Sequence, residues 1–243
     1  MKIQKPCYNF IMIFYIFLAV GLAVTIAAYI LQLVALKSQD KKKEAITKPL
    51  IVAGLILASV MFLVQRLPDS RNILIWTTIG LLGSFAGDIL LLKPENKVRL
   101  ITGALGFITS NVSFLILLSP SLKLYPMPFW GVLIFIAFYA LIFALIILVI
   151  LGKQPFIVIL GMACYFTFAC FLNYEGALTF IGNPSLHAAC FTLGIATLIA
   201  SDIVLAKEFT GHPLANNQFI VMIIYPISQL LLATGSVLMS MNI

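Results

Sequence analysis

Charged residues are scarce in this sequence. They make up 9 % of the 243 residues, whereas hydrophobic residues make up 62 % and the mean hydropathy is +1.13. A soluble globular domain carries about 25 % charged residues, and too little polar surface remains here to cover so many apolar side chains. These values exclude a soluble globular domain and indicate an integral membrane protein.

Histidine and cysteine are also scarce, and neither occurs in a pattern typical of a metal or redox site. The two histidines, His187 and His212, lack HxxxH or HExxH spacing, and the four cysteines contain no CxxC pair. The sequence also lacks a Gly-rich phosphate loop and a GxSxG nucleophile motif. We therefore expect neither a metal nor a cofactor.

Long apolar runs are abundant. A bilayer core about 30 Å thick needs about 20 apolar residues per helix, and the sequence contains eight such runs separated by short polar segments. They cover approximately residues 10–36, 49–65, 73–92, 98–119, 128–151, 154–173, 187–206 and 218–240. The sequence therefore predicts an all-α, polytopic membrane protein whose single domain, residues 1–243, contains eight transmembrane helices.

Lysine and arginine are distributed unevenly between the two sides of this arrangement. The loops after the first, third, fifth and seventh runs carry ten of the 15 basic residues, and the opposite side, with both termini, carries five. Because cytoplasmic loops are enriched in Lys and Arg, we expect these four loops in the cytoplasm and both termini outside, in the inner membrane if the cell is bacterial. The net charge of +7 then reflects topology and contact with anionic membrane lipids, with no basic, aromatic stripe to indicate nucleic acid.

Two of the runs contain an aspartate in matching surroundings. Gly80 and Asp88 in "GLLGSFAGDILLLK" match Gly194 and Asp202 in "GIATLIASDIVLAK", at an offset of 114, and a lysine ends each segment. The match predicts two parallel four-helix repeats, about residues 1–122 and 123–243, as in some transporters. Both carboxylates are then expected about 7 Å below the cytoplasmic interface, in one leaflet.

An ionisable side chain at this depth is costly and normally faces the bundle interior or a wet cavity. A lone aspartate is most simply explained as a structural contact with a lysine or a helix amide, but two at one depth favour a shared site. Two carboxylates that face one cavity do not both ionise easily, so one can carry a proton while the other is charged. Asp88 and Asp202 are therefore candidates for a general acid and a general base.

Other polar residues fall in the same half of the membrane. Tyr225 and Gln229 are four residues apart and share a face of the last helix, and Asn111 lies about as deep in the fourth helix as Gln229 does in the eighth. Lys48 precedes Pro49 at the expected entrance of the second helix, where it could bind a phosphate group. Each has a simpler interpretation as an interhelical hydrogen bond or an interfacial anchor. Together they indicate a substrate route from the cytoplasmic surface toward the midplane.

Five segments, in this order, resemble the YhhN family of integral membrane proteins, which includes the lysoplasmalogenases. They are "ITKPLIVAGLIL", "GLLGSFAGDILLL", "GALGFITSNVSFLI", "GIATLIASDIVLAKEF" and "IIYPISQLLLATGS". The resemblance runs from about Thr47 to Gly235. It implies an eight-helix enzyme that hydrolyses the vinyl ether bond of a lysoplasmalogen to a fatty aldehyde and a glycerophospho-base.

The resemblance also assigns residues. The family's acidic positions fall on Asp88 and Asp202, its Lys-Pro pair on Lys48 and Pro49, and its polar pair in the last helix on Tyr225 and Gln229. One segment departs from the family, because its common F-x3-H-x2-Y pattern reads Phe107, Asn111 and Phe114 here. A histidine and a tyrosine near the expected cavity are therefore replaced.

The expected function is a lysoplasmalogenase-like hydrolase with a lysophospholipid substrate. Vinyl ether hydrolysis needs a carboxylic acid to protonate carbon and a carboxylate to activate water, which the two aspartates supply. The alternatives are a lipid-binding or transport protein, for which a parallel repeat and a polar route would also serve, and a hydrolase of another lysolipid bond. A transporter needs a cavity that opens to both sides, whereas these polar residues cluster toward the cytoplasmic half.

Overall fold

The computed structural model describes residues 8–66, 69–92, 97–124, 129–146, 156–209 and 216–241. Helix is the only regular secondary structure in these residues, which confirms the all-α prediction. The eight helices are α1 (Tyr8–Lys37), α2 (Lys41–Val64), α3 (Arg71–Leu90), α4 (Lys97–Leu124), α5 (Phe129–Ile146), α6 (Phe156–Gly182), α7 (Leu186–Phe209) and α8 (Asn217–Met241). Six of them, α1 to α4, α7 and α8, are long and apolar enough to cross a membrane.

The helices pack side by side and close into a ring. The most extensive contacts join α1 to α2, α3 to α4 and α7 to α8. Contacts of α2 with α3 and α8, and of α6 with α4 and α7, complete a ring of six helices, with α1 and α5 outside it. Large side chains such as Leu81, Phe114 and Phe191 are buried in this ring, whereas Ile79 and Leu193 face outward, as expected where lipid replaces water.

Glycine permits the closest contact between α3 and α4. A Cβ atom on Gly83 would lie 2.7 Å from the carbonyl oxygen of Gly106, and a Cβ on Gly106 would lie 2.8 Å from that of Gly83. Small residues allow this backbone approach between membrane helices. Beside them the buried hydroxyls of Ser84 and Ser110 hydrogen bond at 2.9 Å. This contact fixes α3 against α4 one turn before Asp88.

The second helix begins earlier than the hydropathy pattern predicts. It starts at Lys41 rather than near residue 49, because Asp40 caps it and accepts a hydrogen bond from the backbone N–H of Lys43 at 3.1 Å. This bond is the main reason that the pKa of Asp40 lies below its usual range. Lys41 also pairs with Glu44 at 3.1 Å. Lys48 is therefore not at the entrance of the helix but about two turns inside it.

Other helices continue past the apolar runs that predicted them. α6 extends to Gly182 instead of ending near residue 173, and it carries Glu175, which is 1 % exposed, toward the protein interior. α4 continues through Pro120 to Leu124. The chain stays helical because backbone groups in lipid must be bonded internally even where side chains become polar. The rest of the fifth predicted run, residues 147–151, lies outside the described residues.

The sequence repeat and the orientation remain predictions. Of the two lysines that end the matching segments, Lys207 lies in the last turn of α7 and Lys93 is outside the described residues. Asp88 lies near the end of α3 and Asp202 in the last third of α7, so both are toward the same end of the bundle. That end also contains the starts of α2 and α8, which brings their polar residues to one level.

Candidate active site

Asp88 is a buried carboxylate contacted from two other helices. Its side chain is 1 % exposed, and its Oδ1 lies 3.5 Å from the Nζ of Lys48 on α2. Its Oδ2 accepts a hydrogen bond of 2.8 Å from the hydroxyl of Tyr225 on α8. Both carboxylate oxygens are therefore engaged, one by a cation and one by a neutral donor, and the sequence-predicted residues Lys48, Asp88 and Tyr225 lie together.

Asp202 has a different partner. Its Oδ2 accepts a hydrogen bond from the hydroxyl of Tyr165 on α6, and its side chain is half-buried. Tyr165 is not among the residues predicted from the sequence. The available signal was a tyrosine inside an apolar run, away from the interface where tyrosines of membrane proteins usually lie, since a buried tyrosine hydroxyl normally has a partner.

The two carboxylates belong to one site without bonding to each other. Asp202 lies within electrostatic range of both Asp88 and Lys48. Tyr225 lies within range of both aspartates and of Tyr165. Lys48 is thus close enough to influence both carboxylates, and its described ion pair is with Asp88. The site can hold one carboxylate charged against Lys48 while the other acts as a proton donor.

The remaining predicted residues lie beside this group. Asn111 on α4 is 1 % exposed and approaches the hydroxyl of Tyr165, but its Nδ2 has no hydrogen-bond partner among the described residues. Gln229 is fully buried one turn beyond Tyr225 on α8, and in the described part of the chain neither its Oε1 nor its Nε2 is bonded. Asn111 therefore joins the site through Tyr165, whereas Gln229 shares the face of Tyr225 without a contact to either carboxylate.

Packing between α3 and α4 supports the Asp88 side of the site. The rings of Phe107 and Tyr225 meet edge to face, with centroids 6.2 Å apart and an interplanar angle of 84°. Phe107 fits there because residue 87 is glycine: a Cβ on Gly87 would lie 2.6 Å from Cε2 of Phe107. The residue before Asp88 therefore determines where the aromatic wall of the site can sit.

A third buried carboxylate lies away from the site. Glu175 is on α6, ten residues beyond Tyr165 and hence about 15 Å along the helix from it. It is 1 % exposed, and its Oε2 has no hydrogen-bond partner in the ranges that the structure covers. Glu175 is not among the sequence-predicted residues, because it follows the predicted end of the sixth run.

The comparisons with known proteins identify the family. The family model described as the YhhN family matches residues 43–236, a region that contains both aspartates and the side chains that contact them. No curated protein and no solved structure gives a significant match. Because the family model covers most of the chain, this protein belongs to the YhhN family.

Proposed function

We propose that this protein is a hydrolase of the lysoplasmalogenase type, which cleaves the vinyl ether bond of a lysoplasmalogen to a fatty aldehyde and a glycerophospho-base. The observation that carries the proposal is the pair of carboxylates in one intramembrane site, each bonded by a tyrosine, with a single lysine beside Asp88. Membership of the YhhN family is consistent with a hydrolase.

The chemistry of a vinyl ether requires an acid and a base. An acid protonates the carbon β to the ether oxygen, and the electron pair of the double bond forms the new C–H bond. The ether oxygen stabilises the resulting oxocarbenium ion, to which water adds as a base removes its proton. The hemiacetal then collapses to the aldehyde and the glycerol hydroxyl. Two carboxyl groups perform similar work through a similar ion in inverting glycosidases.

Unpaired buried amides support a polar ligand in this site. A buried polar atom without a hydrogen bond costs about 1–3 kcal/mol, and side-chain atoms of Asn111 and Gln229 have no partner among the residues that the structure describes. Asn111 lies beside the Tyr165 hydroxyl and Gln229 lies one turn beyond Tyr225, so we propose that water or the glycerol part of the substrate bonds to these amides. The attacking water would then be held near the base before the substrate is protonated.

The polarity of the site suggests how a lysophospholipid lies in it. The Lys48 side chain is 13 % exposed, so we propose that its ammonium faces the substrate phosphate as well as Asp88. The alkenyl chain would then extend past the carboxylates toward the apolar midplane. This arrangement puts charge beside charge and hydrocarbon beside hydrocarbon.

Aldehyde release from purified protein tests the proposal. We expect Asp88→Asn and Asp202→Asn each to abolish most release from an alkenyl lysolipid, because asparagine keeps the shape of the side chain but cannot transfer a proton. The double variant should be hardly worse than either single one, since groups that serve one step are non-additive. Glu175→Gln, which neutralises a buried carboxylate outside the site, is the matched control and should retain turnover.

Two further readouts sharpen the test. In D2O, the aldehyde trapped as it forms should carry one deuterium on the carbon next to the carbonyl, because that carbon receives the proton. Near-normal turnover in either asparagine variant would disprove the two-carboxylate mechanism. Cleavage of the acyl counterpart alone would indicate a hydrolase of another lysolipid bond, and saturable lipid binding without turnover would indicate a lipid-binding or transport protein.

A further inference from the structure

The two carboxylates have different surroundings, and we infer from the difference that Asp202 is the general acid, Asp88 is the general base, and Tyr165 is the positioning residue of Asp202. This inference rests on the proposed function. It adds an assignment of roles that the sequence leaves open, and it adds a residue on α6 that no sequence motif indicates.

The contacts of Asp88 suit a base. The Lys48 ammonium lies 3.5 Å from Oδ1, and Tyr225 donates to Oδ2. A carboxylate beside an ammonium in a buried site is favoured in its charged form. Each carboxylate oxygen has two lone pairs, so Asp88 can still accept a hydrogen bond from a water molecule. It has no proton to donate to carbon in this state.

The contacts of Asp202 suit an acid. Tyr165 donates to Oδ2, and Oδ1 has no hydrogen bond from the described residues, so it can carry the proton. Lys48 is within electrostatic range of Asp202 but does not form an ion pair with it. Because the tyrosine fixes one oxygen, it also fixes the direction in which the other presents its proton. Asn111 lies beside the Tyr165 hydroxyl, and its Nδ2 is not bonded to any described residue.

These roles close the proton cycle without an external donor. Asp202 gives its proton to the β-carbon, and Asp88 takes a proton from the water that adds to the oxocarbenium ion. When the hemiacetal collapses, the bond between its carbon and the glycerol oxygen breaks. Asp88 returns its proton to that oxygen, and Asp202 takes the proton of the hemiacetal hydroxyl. Both side chains are then in their starting forms.

The pH dependence of kcat distinguishes the two carboxylates. Among the described residues, four titratable or charged groups face Asp202: Tyr165 from α6, Tyr225 from α8, Asp88 from α3 and Lys48 from α2. Turnover that needs a general acid and a general base gives a bell-shaped pH profile. The limb at low pH (the acid limb) follows the ionisation of the general base, and the limb at high pH (the alkaline limb) follows that of the general acid. A hydrogen bond from tyrosine favours the charged carboxylate. Removing that bond therefore shifts the limb that reports this carboxylate to higher pH.

The experiment measures kcat against pH for the parent and three variants, with an alkenyl lysolipid in detergent micelles. We expect Tyr165→Phe to shift the alkaline limb to higher pH by about one unit, and Tyr225→Phe to shift the acid limb to higher pH by a similar amount. Tyr139→Phe is the matched control, because the Tyr139 hydroxyl donates to Oδ1 of Asn173 at 2.8 Å outside the site. It should move neither limb.

Each outcome decides the inference. Exchange of the two shifts, with Tyr165→Phe moving the acid limb, would reverse the roles. If Tyr165→Phe lowers kcat at every pH without shifting a limb, Tyr165 has only a structural role. If Tyr165→Phe folds poorly, the Tyr225→Phe profile tests the assignment independently. A parent protein that releases no aldehyde would overturn the proposed function, and this inference with it, whereas an active parent with misplaced shifts overturns only the assignment.

Discussion

Lys48→Met is the change that most directly tests how the site is held together. The Nζ of Lys48 lies 3.5 Å from Asp88, and at an effective dielectric constant of about 20 two unit charges at that distance attract by about 5 kcal/mol. Removing one partner of a buried pair costs about 3–5 kcal/mol, because the other charge is left uncompensated. Lys48 retains 13 % exposure, so we expect a loss near the lower end, about 3 kcal/mol.

A double-mutant cycle measures this coupling. The free energy of unfolding would be measured by reversible SDS unfolding in mixed micelles for Lys48→Met, Asp88→Asn and the double variant. The double variant should recover most of the loss, with a coupling energy of at least about 2 kcal/mol, because no charge remains unpaired. The exposed pair of Lys43 and Asp40, 3.2 Å apart, is the matched control and should show little coupling. Additive losses at Lys48 and Asp88 would refute the reasoning.

The same variant separates two roles for Lys48. A phosphate contact alone acts equally on the ground state and the transition state, so its loss raises KM and leaves kcat unchanged. That is what the position of Lys48 in the sequence predicts. The contact with Asp88 predicts that kcat falls as well. An unchanged kcat in a folded Lys48→Met protein would show that Lys48 binds the phosphate but does not act on turnover through Asp88.

Two further predictions concern packing and topology. Gly87→Ala should cost about 1–3 kcal/mol of stability and lower kcat, because a Cβ 2.6 Å from Phe107 pushes that ring toward the site. Gly161→Ala is the control, because no described residue lies within 4 Å of the added Cβ. Equal thermal stability of the two variants would contradict the prediction. In intact cells, a membrane-impermeant maleimide should label Asn183→Cys and spare Ser38→Cys in a cysteine-free background, because we expect the loop after α1 in the cytoplasm; the opposite pattern would reverse the orientation.

Much of the fold follows from local sequence properties. Runs of apolar residues determine where helices cross a bilayer, because a backbone in lipid must bond internally, and all eight predicted runs correspond to helices. The boundaries were less accurate. The start of α2 is helical because Asp40 caps it, and the end of α6 is helical because backbone groups in lipid must be bonded internally. Side-chain hydropathy records neither effect.

The unusual residues can be recognised from local sequence alone. Asp88 and Asp202 stand out because a carboxylate in an apolar run is costly, and Tyr225 stands out through its spacing to Gln229 on one helical face. Resemblance to the YhhN family rests on the same segments, and the family match confirms it. These are properties of single helices, so one helix at a time is enough to find them.

Which side chains meet depends on how the helices pack. The partner of Asp202 is Tyr165 from α6 and the cation beside Asp88 is Lys48 from α2, because α6 packs on α7 and α2 packs on α3 and α8. No local pattern encodes these pairs, since each partner comes from a different helix and its direction depends on how the helices rotate against one another. The asymmetry of the two carboxylates, on which the assignment of acid and base depends, arises from that packing.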